Sequence, residues 1–146
     1  MRRLDALGPI LEARLDRCAA KGFDAVEADN VDGYDNRTGF PLSAADQLRF
    51  DRFLARAAHA RGLSIGLKND VGQAAALEPD FEWALVEECA RFRECERLRP
   101  FVRAGKAVFE VEYDRPPAAF CPAARRLGLV GMQKRRTLGA WRRTCP

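Results

Sequence analysis

The residues able to do chemistry crowd the ends of the predicted strands. Phe23 to Phe40 reads FDAVEADNVDGYDNRTGF. Phe23, Ala25 and Val26 start it as a strand. Glu27 and Asp29, two residues apart, project from one side of an extended chain, with Asp24 one residue out of that phase. Asn30, Asp32, Gly33, Tyr34, Asp35 and Asn36 follow as turn and ligand residues. Later strands run out into Lys68-Asn69-Asp70, into Glu87-Glu88, into Glu110, Glu112, Tyr113 and Asp114, and into Gln133-Lys134. Four of the five thus carry a carboxylate at one end, whereas their starts read Phe23, Leu63, Phe81, Lys106 and Leu129. Two carboxyl groups across a cleft are what glycosidic cleavage requires: one protonates the leaving oxygen, and the other attacks or activates water. On spacing alone, the first loop fits equally well as an acidic segment capping the next helix, and Glu87 fits as a surface glutamate.

Alternating elements must position these groups. Residues 4 to about 20 read as an amphipathic helix through Leu4, Leu7, Leu11, Leu15 and Cys18, with Gly8-Pro9 placing its proper start near Pro9 and Gly22 stopping it. Phe23 to Asp29 is the first strand. Ser43, with Asp46 three residues on, caps a helix through Arg61 that turns Leu48, Phe53 and Leu54 inward. Leu63 to Lys68 is a strand, Val71 to Leu77 a short helix or turn, and Phe81 to Glu87 a strand. Cys95 to Ala104 is a short helix and Lys106 to Tyr113 a strand. Pro116 to Leu127 holds a short helix, Leu129 to Gln133 is a fifth strand, and Leu138 to Arg143 is a last helical turn. Such alternation argues an α/β fold with parallel strands and right-handed crossovers.

Composition excludes several classes. The chain has 146 residues, 47% of them apolar and 32% charged, enough for one domain with a core. The formal net charge is only +4, and no dense basic run occurs beyond Lys134-Arg135-Arg136, so nucleic acid is not the expected partner. Arg135, Arg136, Arg142 and Arg143 read as a solvated basic tail. No apolar run reaches transmembrane length, and the charges spread through residues 1 to 20 exclude a signal-peptide core. No cofactor motif, serine elbow or phosphate loop is present. His59 is the single histidine and reads as a solvated helix residue; without a second, no zinc spacing arises, and no metal is expected.

Three blocks carry a resemblance. FDAVEADNVDGY, TGFPLSAADQL and HARGLSIGLKND, followed by ECARFREC and GKAVFEVEY, resemble the domain of glycoside hydrolase family 114, endo-α-1,4-polygalactosaminidases with a TIM-barrel fold. The resemblance covers most of the chain. It implies a partial (β/α)8 barrel, about its last five βα units, because a complete barrel takes about 250 residues. Residues 1–146 are accordingly expected to be a single, N-terminally truncated barrel domain with two open strand edges. By the same resemblance Asp29 matches the proposed nucleophile and Glu87 the proposed acid/base. Glu27, Asn30, Asp32, Tyr34, Lys68, Asn69, Glu112 and Tyr113 are the expected substrate contacts. Asp32, Asp35, Glu112 and Asp114 suit the amines of a cationic galactosamine polymer. Tyr34 and Tyr113 fit sugar stacking or simple rim packing, Lys68 a carboxylate-holding role or an ordinary salt bridge, and Asn30 and Asn69 hydroxyl contacts or turn closure.

Departures from the family pattern stand at Ala28, where proline is usual, and at Val86 and Glu88, where Asn and Gln are usual. Glu88 beside Glu87 is expected to raise the latter's pKa. The resemblance also makes Cys89–Cys95 a disulfide, Cys121 and Cys145 are placed to form a second, and Cys18 reads as a small buried residue. Disulfides imply an oxidising, extracellular setting for the parent protein. Three functions follow as expectations: a glycosidase acting on α-1,4-linked galactosamine, a carbohydrate-binding remnant without activity, and an interaction module pairing through open strand edges.

Overall fold

The computed structural model describes residues 1–146. Helix α1 (Leu4–Ala20) leads into β1 (Ala25–Glu27), and α2 (Ala44–His59) into β2 (Ser64–Lys68). A single turn, α3 (Ala74–Leu77), precedes β3 (Trp83–Glu87). The short α4 (Cys89–Phe92) and α5 (Arg99–Arg103) precede β4 (Val108–Glu112), and α6 (Pro117–Leu127) precedes β5 (Val130–Lys134). One six-stranded sheet results, in the order β1-β2-β3-β4-β5-β6, where β6 is Arg142–Thr144. The first five strands are parallel and β6 runs antiparallel to β5. The architecture is that of a partial TIM barrel. No helix is long and apolar enough to cross a membrane.

Local sequence explains the main elements. Ser43 caps α2: Asp46 N–H donates to Ser43 Oγ at 3.1 Å, and Ser43 N–H to Asp46 Oδ2 at 3.2 Å, a reciprocal box that satisfies two otherwise orphaned donors. Leu54 is buried, while Leu48 and Phe53 pack half-buried against the core. Helix α1 starts at Leu4 and runs through Gly8-Pro9, earlier than the expected start at Pro9. The expected helix from Cys95 to Ala104 divides into a 3-10 turn, Cys95–Leu98, and α5, with Pro100 in the first turn of the latter.

The expected helical turn at Leu138 to Arg143 is instead a turn leading into β6. The physical reason is the neighbouring edge: β5 offers unpaired backbone groups, and a Cys121–Cys145 disulfide holds the following segment against α6. Only β1 and β6 therefore form sheet edges, and β5 is covered.

The pleat sorts side chains between two faces. Ile65, Leu67, Ala84, Val86 and Val108 face the helices and join Leu54, Ala58, Leu77, Leu98 and Phe101 in the core. Glu27, Lys68, Leu85, Glu87, Phe109 and Val111 alternate with them on the opposite, concave face. There Gly66 leaves room for the Trp83 ring, since a Cβ at that position would come within 2.5 Å of it. The register sets Glu27 beside Gly66, Lys68 beside Leu85 and Glu87 beside Val111, so each successive strand reaches farther along and its carboxyl end joins one rim.

Candidate active site

The rim is organised by Lys68. Its side chain is only 7% exposed, and its Nζ stands 2.7 Å from Asp29 Oδ1 and 3.0 Å from Glu87 Oε2. Sharing one nitrogen, these two carboxylate oxygens lie no farther apart than those two legs laid end to end. Burial alone would push the Lys68 ammonium down, but the contacts with Asp29 and Glu87 outweigh it and hold the group above its ordinary value.

Asp29 lies two residues past the end of β1 with a largely exposed side chain. The hydrogen bond from Lys68 holds its carboxyl below the usual range, and Asn30 N–H adds a second donor at 2.9 Å. Asn30 reaches this place with φ 58°, a left-handed conformation that asparagine tolerates better than most residues.

Glu87 ends β3 and is half-buried. Asn69, from the end of β2, accepts the Glu87 backbone N–H on Oδ1 at 2.9 Å. Tyr113, just past β4, donates its hydroxyl to Glu87 Oε1. Burial works to raise the Glu87 carboxyl, yet donation from Tyr113 and Lys68, with the charge of Lys68, leaves it below its ordinary value. This corrects the expectation that Glu88 would raise it. The Glu88 carboxylate is held by Arg91 at 2.7 Å and Arg136 at 3.0 Å, so its charge is offset. Glu27 behaves oppositely: crowding by surrounding protein, then Asp29 and Glu87, push its carboxyl up against the pull of Lys68.

A concavity of about 370 Å³ opens over this centre, lined by Asp29, Asn30, Asp32, Gly33, Asn36, Thr38, Asn69 and Glu87, with no apolar side chain among them. Beside it a pocket of about 170 Å³ contains Tyr34, Asp35 and Asp70 and again reaches Glu87. Asp32 is occupied by Asn36, whose Nδ2 donates to Asp32 Oδ1 at 3.0 Å. Tyr34 is half-buried; burial and a contact with Asp70 push its hydroxyl up to about 12.

Of the expected contacts, the structure brings Glu27, Asp29, Lys68, Glu87 and Tyr113 together, with Asn30, Asp32 and Asn69 on the concavity wall and Tyr34 beside it. Glu112 is not among them. It is fully buried, and its Oε1 accepts the Ala90 N–H at 2.8 Å. The reason is pleat parity: Glu110 and Glu112 alternate with Phe109, Val111 and Tyr113 and so point into the helix layer. Asp114, expected to meet an amine, is instead paired with Arg136 at 2.7 Å. Arg136, expected in a solvated basic tail, instead places its guanidinium 5.0 Å from the Tyr113 ring centroid.

One further buried acid, Asp51, escapes the sequence reading, and Asp70, expected at a strand end, lies buried as well. Asp51 accepts from Gln47 Nε2 at 2.8 Å inside α2, and Asp70 follows Asn69 with φ 39°. Burial drives both carboxyls upward. The available signal was polar residues at i and i+4 on the face of α2 that also carries Leu54, Ala55 and Ala58. His59 is exposed and lies 3.0 Å from Glu82. The two expected disulfides, Cys89–Cys95 and Cys121–Cys145, are both present, and Cys18 is free and half-buried. A buried trio of Cys89, Cys95 and Glu110 is the single grouping with metal-ligand proximity, and its two sulfurs are bonded to each other.

The model of glycoside-hydrolase family GH114 matches residues 2–146. An uncharacterized protein of Deinococcus radiodurans is 33% identical over 138 residues, covering 82% of this chain and 44% of that protein. The crystal structure of Aspergillus fumigatus Ega3 in complex with galactosamine superposes with a TM-score of 0.88 at 37% identity, over 94% of this chain and 60% of that one. The glycoside hydrolase domain of PelA from Pseudomonas aeruginosa shares the fold, with a TM-score of 0.62 at 14% identity over 91% of this chain and 61% of that one. The chain thus spans about three-fifths or less of the length of these proteins.

Proposed function

The chain belongs to glycoside-hydrolase family GH114, and from that premise we propose that it cleaves α-1,4 linkages of a galactosamine polymer with Asp29 and Glu87. The observation that carries the reading is the shared grip of those two carboxylates on Lys68. It keeps their oxygens within reach of one glycosidic bond. The separation suits the retaining arrangement, about 5–5.5 Å between carboxyls, rather than the wider inverting one of about 6.5–9.5 Å.

In this mechanism Asp29, exposed and held ionised by Lys68, attacks the anomeric carbon. Glu87 gives its proton to the leaving oxygen as the glycosidic bond breaks. The glycosyl ester on Asp29 is then hydrolysed by a water that Glu87 deprotonates, which restores both carboxyls. The wholly polar lining of the concavity, rich in carboxylates, suits a cationic sugar chain. Galactosamine bound to Ega3 supports the same substrate class. The two disulfides favour an oxidising, extracellular location for the parent protein. Residues 1–146 act in this reading as one barrel-type domain, the larger part of a catalytic unit.

One observation favours a second reading. Glu87 is held below its ordinary carboxyl value in the free protein, whereas a proton donor must carry its proton. A site that binds the polymer without cutting it would look the same at rest. Release of reducing ends from a galactosamine polymer separates the two: cleavage by the wild type, lost in Glu87→Ala with binding kept, supports the hydrolase. Binding without cleavage in the wild type supports the carbohydrate-binding module.

A further inference from the structure

We propose that Tyr113 is a positioning residue for Glu87, aimed by Arg136, and not a platform on which sugar rings stack. The inference rests on Glu87 being the proton donor of the proposed cleavage.

Both ends of the tyrosine are already engaged. Its hydroxyl donates to Glu87 Oε1. One face of its ring lies under the Arg136 guanidinium, 5.0 Å from the ring centroid, within the range of cation–π attraction. Its backbone carbonyl accepts from Gln133 Nε2 at 3.2 Å. A side chain tied at the hydroxyl and covered on a ring face is poorly placed to receive a sugar.

Arg136 is the hub of this arrangement. It follows β5, and its Nη2 reaches Glu88 Oε1 at 3.0 Å and Asp114 Oδ2 at 2.7 Å. Those two residues are the chain neighbours of Glu87 and Tyr113. One guanidinium therefore spans the ends of three adjacent strands and fixes donor and acceptor relative to each other. A planar fork with several donors suits this task better than an ammonium.

The groups around Glu87 come from every neighbouring element: Asp29 and Glu27 at the β1 end, Lys68 and Asn69 at the β2 end, Glu88 in its own loop and Tyr113 after β4, while Arg136, after β5, and Asp114 reach it only through Glu88 and Tyr113. Among them, Lys68 and Tyr113 bond the carboxylate directly. Loss of the Tyr113 hydroxyl removes a donor that favours the ionised form. Loss of Arg136 releases the tyrosine and leaves the charge of Glu88 offset by Arg91 alone. Both changes act on Glu87 in the same direction, upward.

Carbon-13 NMR of the chain labelled at glutamate carboxyls, with the Glu87 signal assigned through Glu87→Gln, tests this without relying on turnover. Tyr113→Phe keeps the ring and the fold. It is expected to move the Glu87 titration up by about one pH unit, with Arg136→Ala moving it the same way and Arg136→Lys moving it less. Hydrolysis assays on the same proteins are expected to show the matching displacement in their pH profiles. An unmoved Glu87 titration in both Tyr113→Phe and Arg136→Ala overturns the inference. If the wild type binds polymer but never cleaves it, the proposed hydrolase fails, while the NMR titration still decides the role of Tyr113.

Discussion

Asp29 and Glu87 are bonded to the same ammonium group, Lys68 Nζ, which is nearly sealed from solvent. The pairing explains how two carboxylates from neighbouring rim positions coexist at close range. Without the cation their mutual repulsion would force one of them to keep a proton. It also makes Lys68 the residue whose loss reads most clearly in the behaviour of both acids.

Lys68→Met keeps an unbranched side chain, one atom shorter, and removes the charge and both contacts. Since the bond from Lys68 is the chief reason the Asp29 carboxyl is low, that carboxyl rises when the lysine is lost. The acid limb of the pH–rate profile, where Asp29 must be ionised to attack, moves to higher pH by about one unit or more. Lys68→Arg, which retains charge, moves it less. Reducing-end assays across pH check this, and an acid limb unchanged in Lys68→Met contradicts it.

Glu110 gives a pH dependence of stability. It is 1% exposed, burial pushes its carboxyl up to about 7, and its Oε2 has no hydrogen-bond partner. Between the ordinary carboxylate pKa of about 4.3 and this raised value, the folded chain keeps a proton that the unfolded chain has lost. Unfolding then releases a proton, so stability falls as pH climbs through that window and levels off above it. Glu110→Gln removes the decline and gains on the order of 2 kcal/mol at about pH 8, with little difference at about pH 4. Thermal melts at both pH values check it; a gain that is the same at both runs against it.

The two disulfides close loops of unequal length, with sequence separations of 6 for Cys89–Cys95 and 24 for Cys121–Cys145. Chain-entropy reasoning gives the longer one the larger contribution, about 3.5 against about 2 kcal/mol. The double substitution Cys121→Ser, Cys145→Ser should lower Tm more than Cys89→Ser, Cys95→Ser. It should also free β6, seen as faster amide exchange at Arg142–Thr144. The reverse order of Tm values would show that the short bridge, under the Glu88 loop, governs stability by some other route.

Much of the rim was legible in the sequence. Strand ends were marked by the switch from apolar runs to Asp29, Asn69 and Glu87, and the Ser43–Asp46 cap was visible as a spacing. Glu112 was misplaced because an acidic residue at a strand end can face either way. Its side followed from the pairing of β3 and β4, which aligns Glu87 with Val111 and sends Glu112 into the helix layer. Arg136 looked like one arginine in a basic tail. Its role depends on the path of a turn held by β6 and the Cys121–Cys145 bridge, contacts that lie far apart in the chain. Segment 138–143 failed for the same reason, since helix and strand propensity decide little where an open edge waits to be paired.

Asp29 and Glu87 are proposed to act across a single sugar bond, and product stereochemistry addresses that most directly. An α-1,4-linked galactosamine oligomer, digested in an NMR tube and followed through its anomeric protons, should release the α-anomer first. Asp29→Asn and Glu87→Gln should each slow release by about a thousandfold. First release of the β-anomer, or a near wild-type rate in either variant, would contradict it.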